Sequence, residues 1–334
     1  MAWSLACPAR ASAAVLRACE TFTTSVLPSV FAFSVAAKLC IRSGVLPRLP
    51  LGRFFRHLGL SVGGGVALTV GLLAGFPTGA AVLSELCSRG EISRIEAERL
   101  LPLCNNAGAS FIVGTVGVSF FGAAETGVVL LLSQTASVLT ALLLVGTYGA
   151  DVPYTRRPTC SVIASLTSSV ADGALAMPVI CGYIAVFAVF GEMVAGVLPP
   201  SPLVRALTQG VLELSGGMAA LSCLSLPRVY RLALGGAMLG FGGVCVFLQA
   251  AERATPQGLR CHFYFRTKLL QAALCALYAI LFDRLGTLRY AYGAQIAVFV
   301  VIFTIASVKN KIFFKKSVEK RKGMLYNRNE NPCP

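Results

Sequence analysis

The sequence predicts an all-α polytopic membrane protein, and three observations support this fold class. Of the 334 residues, 56% are hydrophobic and only 13% are charged, whereas about 25% of residues are charged in a typical soluble domain. The mean hydropathy is +0.74, and long apolar runs recur along the chain. Glycine and proline lie inside these runs, which membrane helices tolerate better than soluble helices do. The length allows roughly eight to eleven spans and hairpin halves.

The elements of the first half follow from its apolar runs. Val15–Ile41 predicts a first span interrupted near Pro28, because proline cannot donate a helical hydrogen bond. The mixture of Arg, Phe and Leu in Gly44–Leu60 favours an interfacial helix or a re-entrant approach. Ser61–Leu86 predicts one broken helix or a re-entrant hairpin. Apolar spans are expected at Ala107–Phe121 and Gly127–Thr147.

The second half is read in the same way. The segment 161–174 is less hydrophobic and rich in Ser and Thr, and a clear span follows at Ala176–Leu198. The remaining apolar runs predict further membrane segments: Leu203–Leu226, Leu232–Gln249, Leu269–Phe282 and Tyr290–Val308. We interpret Arg253–Lys268 as a basic connector between two of them.

A single membrane domain is expected over residues 1–334. The polar segment Tyr148–Pro158 divides it into a first repeat at 15–150 and a second repeat at 160–308, before a tail at 309–334.

Two self-matches in the same order support this division. Val30–Phe33 resembles Val186–Val189, and Leu73–Phe76 resembles Met238–Phe241. Each match alone is close to chance, but both halves also contain a glycine-interrupted apolar run. We therefore predict two inverted repeats with glycine-broken re-entrant hairpins, the plan of many secondary transporters.

The positive charge predicts orientation. The net charge is +15, and its densest cluster is Lys309–Lys322 in the tail. Lys and Arg concentrate on the cytoplasmic side of membrane proteins, so we expect a cytoplasmic tail beside anionic lipid headgroups. Nucleic acid is not an expected partner, because no nucleic-acid-binding fold signal accompanies the basic tail.

The stretch Gly71–Gly122 contains the two interruptions on which the predicted site depends. Its apolar run breaks at Gly75-Phe76-Pro77-Thr78-Gly79, and a second apolar run opens at Asn105-Asn106. A break frees backbone N–H and C=O groups that lipid cannot satisfy, so it must be buried in protein or face a wet cavity. Broken helices at matching places in two halves indicate a substrate site. For the asparagines, a helix cap or turn is the alternative to binding.

A charged helix lies between these two breaks, over Ser88–Leu101. Ser93 and Glu96 fit a capping box at its start. We expect Glu96, Glu98 and Arg99 to face water at a membrane surface.

Acidic residues inside apolar runs are candidate functional groups, because burying a charge costs roughly 2.5–3.5 kcal/mol on insertion scales. Glu213 is the strongest candidate, since small residues surround it in the Gly210–Gly217 segment. Its alternative role is a structural hydrogen bond to a broken helix. For Glu192 and Glu20 we favour structural roles near a membrane surface. Asp172 is either a helix cap or a functional group.

No catalytic constellation is present. The sequence lacks G-x-S-x-G, H-E-x-x-H and G-x-x-x-x-G-K-[ST] motifs, so no enzyme activity and no cofactor are predicted. The 12 cysteines form no C-x-x-C pair and are interpreted as small buried hydrophobes. His57 and His262 are far apart in sequence, and no metal site is proposed.

Several motifs resemble one family. GFPTGA, the charged helix ISRIEAERLL, CNNAG and FIVGTVG closely resemble YlbJ-like sporulation integral membrane proteins. These belong to the nucleoside recognition, or Gate, group, together with spore maturation protein A and the Gate regions of bacterial ferrous iron transporters. In the second half, GVLELSGG and GFGGVCVFLQ are similar to that group's G-x-x-E and Gly-Phe-rich segments. The resemblance extends from about Val15 to Phe282, although the family pattern has Ser and His where Cys245 and Phe247 stand.

The resemblance implies two inverted repeats with re-entrant hairpins, similar to concentrative nucleoside transporters. It implies a membrane protein that binds, and transports, a small polar nucleoside-like solute with a coupling ion in a sporulation context, and it is compatible with a homo-oligomer. The site combines the residues that the resemblance carries over with the glycines of the second broken run: Gly75, Pro77, Gly79, Asn105, Asn106, Glu213, Gly240, Gly243 and Gln249. The alternative is a non-transporting structural or assembly protein required for the spore envelope or cortex.

Overall fold

A computed structural model describes residues 7–42, 52–146 and 161–285. Throughout these ranges the regular structure is helical, and no strand occurs in them. Three predicted segments lie outside them: the boundary at 148–158, the last span at 290–308 and the basic tail at 309–334.

The first span is one helical rod with a local widening. Helix α1 (Pro8–Thr21) continues through a π-helical turn at Phe22–Val26 into α2 (Leu27–Arg42). The turn directly precedes Pro28, whose ring has no N–H to donate and would clash with a carbonyl one turn earlier. A π-helical turn accommodates this mismatch without ending the helix, so the predicted interruption near Pro28 is a local change of helix type within a continuous span.

The rest of the first half contains short helices and one long helix. They are α3 (Gly52–His57), α4 (Val62–Leu73), α5 (Thr78–Ser88), α6 (Arg94–Cys104), a π-helix (Phe111–Phe120) and α7 (Ala124–Val145). The predicted break at Gly75–Gly79 is confirmed, because α4 ends at Leu73 and α5 begins at Thr78.

The second half begins with α8 (Val162–Ala195). The prediction of two separate segments there is wrong, since one helix includes Asp172 and Gly173. A glycine costs a helix interior only about 1 kcal/mol relative to alanine, and Asp172 pairs with Arg42 instead of capping a helix end. The following elements are α9 (Pro202–Leu212), α10 (Leu214–Ser222), α11 (Arg228–Phe241), α12 (Val244–Ala254), a 3-10 turn (Thr255–Gln257) and α13 (Tyr264–Arg284).

Apart from the short helix α3 and the 3-10 turn, the described residues of both halves show the same order of elements: a long helix, two interrupted helical pairs and a second long helix. In this order the α4–α5 break corresponds to the α9–α10 break. The interruption between α6 and the π-helix corresponds to the α11–α12 break. The self-match between Leu73–Phe76 and Met238–Phe241 therefore pairs segments at different positions of the order.

Four described helical segments are long and apolar enough to cross a membrane: Ala124–Val145, Ile163–Ala195, Arg228–Gln257 and Tyr264–Arg284. Val62–Leu73 and Phe111–Phe120 are shorter apolar helices. These segments fit an all-α, multi-pass membrane protein.

The long helices pack around the interrupted helices. Helix α13 packs against α11 and α7, and α8 packs along α1 and α2. Close approach is possible because glycines lie at the contacts: a Cβ on Gly236 would lie 2.9 Å from the carbonyl oxygen of Cys275. Small residues at helix contacts are typical of membrane bundles.

Candidate functional site

The two interruptions of the first half, between α4 and α5 and between α6 and the π-helix, pack against each other. The backbone N–H of Phe76 donates to the carbonyl oxygen of Asn106 (2.8 Å). Gly75 has a φ of +76°, and a Cβ there would lie 2.3 Å from the Gly108 nitrogen. A Cβ on Gly79 would lie 2.0 Å from the Cys104 carbonyl oxygen. Protein backbone thus fills the space beside Gly75 and Gly79, and a binding role for them and for Pro77 stays a prediction.

Glu213 forms the break between α9 and α10. Its buried carboxylate accepts from the Ser215 N–H (2.8 Å), the Ser215 hydroxyl (2.5 Å) and the Gly216 N–H (2.6 Å). The two N–H groups are free donors of the α10 N-terminus, where a carboxylate is stabilised by hydrogen bonds and by the helix dipole. The structural alternative raised for Glu213 is therefore present in the fold.

The α11–α12 break packs against the α9–α10 break. Gly243 has a φ of +90°, and a Cβ there would lie 3.4 Å from the carbonyl oxygens of both Gly210 and Leu212. Gly240 lies against α13, where a Cβ would approach the Ala272 Cα to 2.6 Å. These glycines allow close backbone packing, as their counterparts do in the first half.

Asn105 connects the two halves. Its side-chain nitrogen donates to the carbonyl oxygen of Val246 (3.1 Å) and to the hydroxyl of Tyr264 (2.7 Å). Asn105 is fully buried, and its side-chain oxygen has no hydrogen-bond partner among the described residues.

A small cavity lies where the halves meet. Its wall includes Phe76 and Phe111 from the first half and Glu213, Ser215, Val246 and Gln249 from the second. It leaves about 20 Å³ for water-sized atoms, which is room for about one water molecule. The structure thus brings Glu213 and Gln249 together, whereas Asn105 reaches the wall through Val246.

Gln249 provides an acceptor at this cavity. The residue is 3% exposed. Its side-chain nitrogen donates weakly to the Cys245 sulfur (3.4 Å), and its Oε1 has no partner in the described part of the chain. Buried polar atoms without partners are uncommon in folded proteins and call for an explanation, such as a water, an ion or a ligand.

A second polar cluster was missed from the sequence. Lys268 is fully buried, and its Nζ donates to Asn106 Oδ1 (2.9 Å) and Gln271 Oε1 (3.2 Å). Gln271 Nε2 donates to the same Asn106 oxygen (2.6 Å), and Asn106 Nδ2 donates to the Leu103 carbonyl. The interpretation of Lys268 as part of a connector is wrong, because α13 begins at Tyr264. The available signal was the spacing of Tyr264, Lys268 and Gln271 on one helical face.

Most of the charged helix α6 is buried, which corrects the expectation that Glu96 and Glu98 face water, whereas Arg99 is half-buried. The Ser93 hydroxyl accepts from the Glu96 N–H (3.2 Å), as a capping box requires. The Glu96 carboxylate, however, accepts from the N–H of Ser61 (2.8 Å), at the start of α4. Burial raises the pKa of Glu96, which lies outside the candidate spans, to about 7.

Two other charged residues of α6 also bind the backbone of distant segments. Glu98 accepts from the backbone N–H of Arg260 (3.0 Å), and Arg99 donates to the carbonyl oxygen of Gly146 (2.8 Å). Glu96, Glu98 and Arg99 therefore bind the start of α4, the segment before α13 and the end of α7, so these charged side chains have partners within the protein.

The acidic residues of α8 form ion pairs. Glu192 accepts from Arg17 (2.9 Å) and Arg10 (3.4 Å), and Asp172 accepts from Arg42 (2.5 Å). Both acids join α8 to the α1–α2 rod. The favoured structural role of Glu192 is confirmed, and Asp172 has the same role.

Together, the fold and the buried polar groups define an all-helical, multi-pass membrane protein in which interrupted helices of two halves meet at a small cavity. Its wall is mainly apolar and carries the polar side chains of Glu213, Ser215 and Gln249. The chain is similar to the sporulation integral membrane protein YlbJ of Bacillus subtilis (strain 168), with 26% identity over 303 residues, covering 77% of this chain and 73% of that protein. This similarity confirms the predicted resemblance to YlbJ-like sporulation integral membrane proteins. No protein-family model and no solved structure match the chain.

Proposed function

We propose that this protein binds and transports a small polar solute of nucleoside type in the membrane of a sporulating cell. The observation that carries the proposal is the Oε1 of Gln249, which has no partner among the described residues and lies at a cavity that Glu213 also lines. The similarity to a sporulation integral membrane protein supports the cellular context.

The chemistry of the cavity favours a solute rich in hydrogen-bond donors. Gln249 Oε1 accepts no hydrogen bond from residues 7–42, 52–146 and 161–285. One Glu213 oxygen, Oε2, accepts only one described hydrogen bond, and a carboxylate oxygen can accept two. Phe76 and Phe111 form an edge-to-face pair with centroids 6.3 Å apart, beside which a flat base could pack. A nucleoside combines such a ring with sugar hydroxyl donors.

Binding of a nucleoside requires the halves to move apart, since about 20 Å³ holds only a water-sized group. The breaks at Gly75 and Gly243 are suitable hinges, because both glycines adopt positive φ values. In this proposal the two halves are inverted repeats that expose the cavity alternately. Asn105, Asn106 and Gly240 support the walls, and the basic tail lies in the cytoplasm. Assembly as a homo-oligomer belongs to the same proposal.

A thermal-shift assay tests the proposal. The purified full chain in detergent is heated with a panel of nucleosides and nucleobases. A shift is expected for at least one nucleoside, and Glu213→Gln and Gln249→Leu should abolish it. The matched control is Glu20→Gln, which removes an exposed carboxylate and should keep the shift. Absence of a shift across the panel, or its persistence in both site variants, would overturn the proposal.

The second candidate is a structural or assembly role in the spore envelope, favoured by the sporulation designation of the relative. Uptake of radiolabelled nucleosides and spore formation are compared between wild-type and deletion strains. Defective spores with normal uptake would support the assembly role. Spore defects rescued by wild type but not by Gln249→Leu, produced at the wild-type level, would favour the solute-binding role.

A further inference from the structure

The surroundings of Lys268 match the neutral form of its amine. An ammonium group offers three N–H donors, whereas a neutral amine offers two and also has a lone pair. Two side-chain acceptors contact Nζ, Asn106 Oδ1 at 2.9 Å and Gln271 Oε1 at 3.2 Å. Both acceptors are uncharged amides, and Lys268 has no exposed surface. The site therefore satisfies two donors and leaves one position on nitrogen for a proton.

No carboxylate of the described residues forms an ion pair with Lys268. The nearby titratable side chains are the buried, uncharged thiols of Cys104 on α6 and Cys275 on α13, and Tyr264 lies one turn earlier on α13.

The ionisable residues of the other two packed helices lie at their first turns. Helix α7 carries only Glu125. Helix α11 carries Arg228, Tyr230 and Arg231, and Arg228 pairs with Asp283 near the other end of α13 (2.8 Å). A buried ionisable residue of a membrane protein without a charge partner is a candidate functional group.

The Lys268 cluster is connected to the first break through one residue. Asn106 accepts from Lys268 through its side chain and from the Phe76 N–H through its backbone oxygen (2.9 and 2.8 Å). Phe76 lines the cavity with Glu213. A change at Lys268 that displaces Asn106 would thus release a segment that lines the cavity.

We propose that Lys268 is a proton-binding site whose protonation releases Asn106 and opens the break at Phe76, which makes the proton the coupling ion of the transport cycle. The inference rests on the proposed function for its role in transport. In the step, hydronium gives its proton to the Nζ lone pair, an N–H bond forms and water leaves. The ammonium then needs a third acceptor, which it obtains when the cluster opens to water. Loss of the proton to water restores the closed cluster.

Hydrogen–deuterium exchange of the full chain in lipid nanodiscs, without solute, tests the inference. Exchange of peptides containing the Phe76 amide is followed by mass spectrometry from pH 8.5 to 5.5 and corrected for the intrinsic pH dependence of amide exchange. In the wild type, we expect protection to fall at least tenfold toward low pH. Lys268→Met should keep its protection unchanged with pH. Lys38→Met, at the only other lysine before the tail, should behave like the wild type.

Two results would overturn the inference: protection in the wild type that does not change with pH, or the same fall in Lys268→Met. If Lys268→Met does not fold, Lys268→Gln replaces it, because its neutral amide retains N–H donors for Asn106. The outcome is separable from that of the proposed function, since no solute is present. If a nucleoside shifts the melting temperature but protection of the Phe76 amide does not depend on pH, only the proton-binding site is contradicted. If protection depends on pH through Lys268 but no nucleoside shifts the melting temperature, only the proposed solute is contradicted.

Discussion

The side-chain amide nitrogen of Asn105 lies 3.1 Å from the carbonyl oxygen of Val246. This hydrogen bond joins the end of α6 to the first turn of α12, and therefore joins an interruption of the first half to one of the second. The same nitrogen also donates to Tyr264 at the start of α13. One buried side chain thus joins three elements, of which α12 lines the cavity.

Asn105→Leu should destabilise the protein strongly. The substitution keeps approximately the same volume but leaves the Val246 carbonyl and the Tyr264 hydroxyl without this donor in a buried place. Each unsatisfied group costs about 1–3 kcal/mol, so the melting temperature in detergent should fall by several degrees. Tyr264→Phe removes only one of the two bonds and should have a smaller effect. Ser119→Ala, at an exposed hydroxyl, serves as the control, and an equal effect of all three would refute the bridging role.

Gly79→Ala should also destabilise the fold. The added Cβ would lie 2.0 Å from the Cys104 carbonyl oxygen and 2.7 Å from the Gly71 Cα, so backbone segments would have to separate. Overpacking of this kind typically costs 1–3 kcal/mol. Gly114→Ala is the matched control, because nothing lies within 4 Å of its Cβ position. Equal melting temperatures for the two variants would show that α5 and α6 do not pack as described.

Glu96 should make stability depend on pH. Burial raises its pKa in the folded protein from 4.5 to about 7, so between these values the folded state retains a proton that the unfolded state loses. The contribution of Glu96 to stability therefore decreases as pH rises through this window.

Glu96→Gln removes this titration while keeping an acceptor for Ser61. The melting temperature of the variant relative to wild type should rise as pH increases from 5 to 8. Glu85→Gln alters a half-exposed carboxylate paired with Arg89, and its difference from wild type should not follow that trend. A Glu96→Gln difference that stays constant with pH would contradict burial of this carboxyl.

The helices and the breaks were predictable because they depend on local sequence. Glycine and proline interrupt α4–α5 as expected, and Pro28 has a π-helical turn directly before it. The single helix α8 was missed because a polar residue and a glycine can end a helix or remain inside it. A tertiary contact decides between these outcomes, and here Arg42 pairs with Asp172.

The candidate site was only partly predictable for a related reason. Glu213 and Gln249 were identified from their polarity within apolar runs, and both line the cavity. Lys268 was missed because it stands at the border between a basic segment and an apolar run, where sequence alone favours exposure. Its burial depends on Asn106 and Gln271, and the pairing with Asn106 is long-range. Glu96 was misplaced for the same reason, since its partner Ser61 belongs to another helix.

The most direct test of the central claim, that the breaks of the two halves meet around one cavity, is site-specific photocrosslinking from Phe76. The purified chain carries p-benzoylphenylalanine at position 76, and crosslinked peptides are mapped by mass spectrometry after irradiation. The structure predicts crosslinks to the second-half segments containing Glu213–Ser215 and Cys245–Gln249, which line the same cavity. The same probe at Leu73, which is 53% exposed, should not label them. Crosslinks from position 76 that occur only within the first half, or only to detergent, would contradict the account.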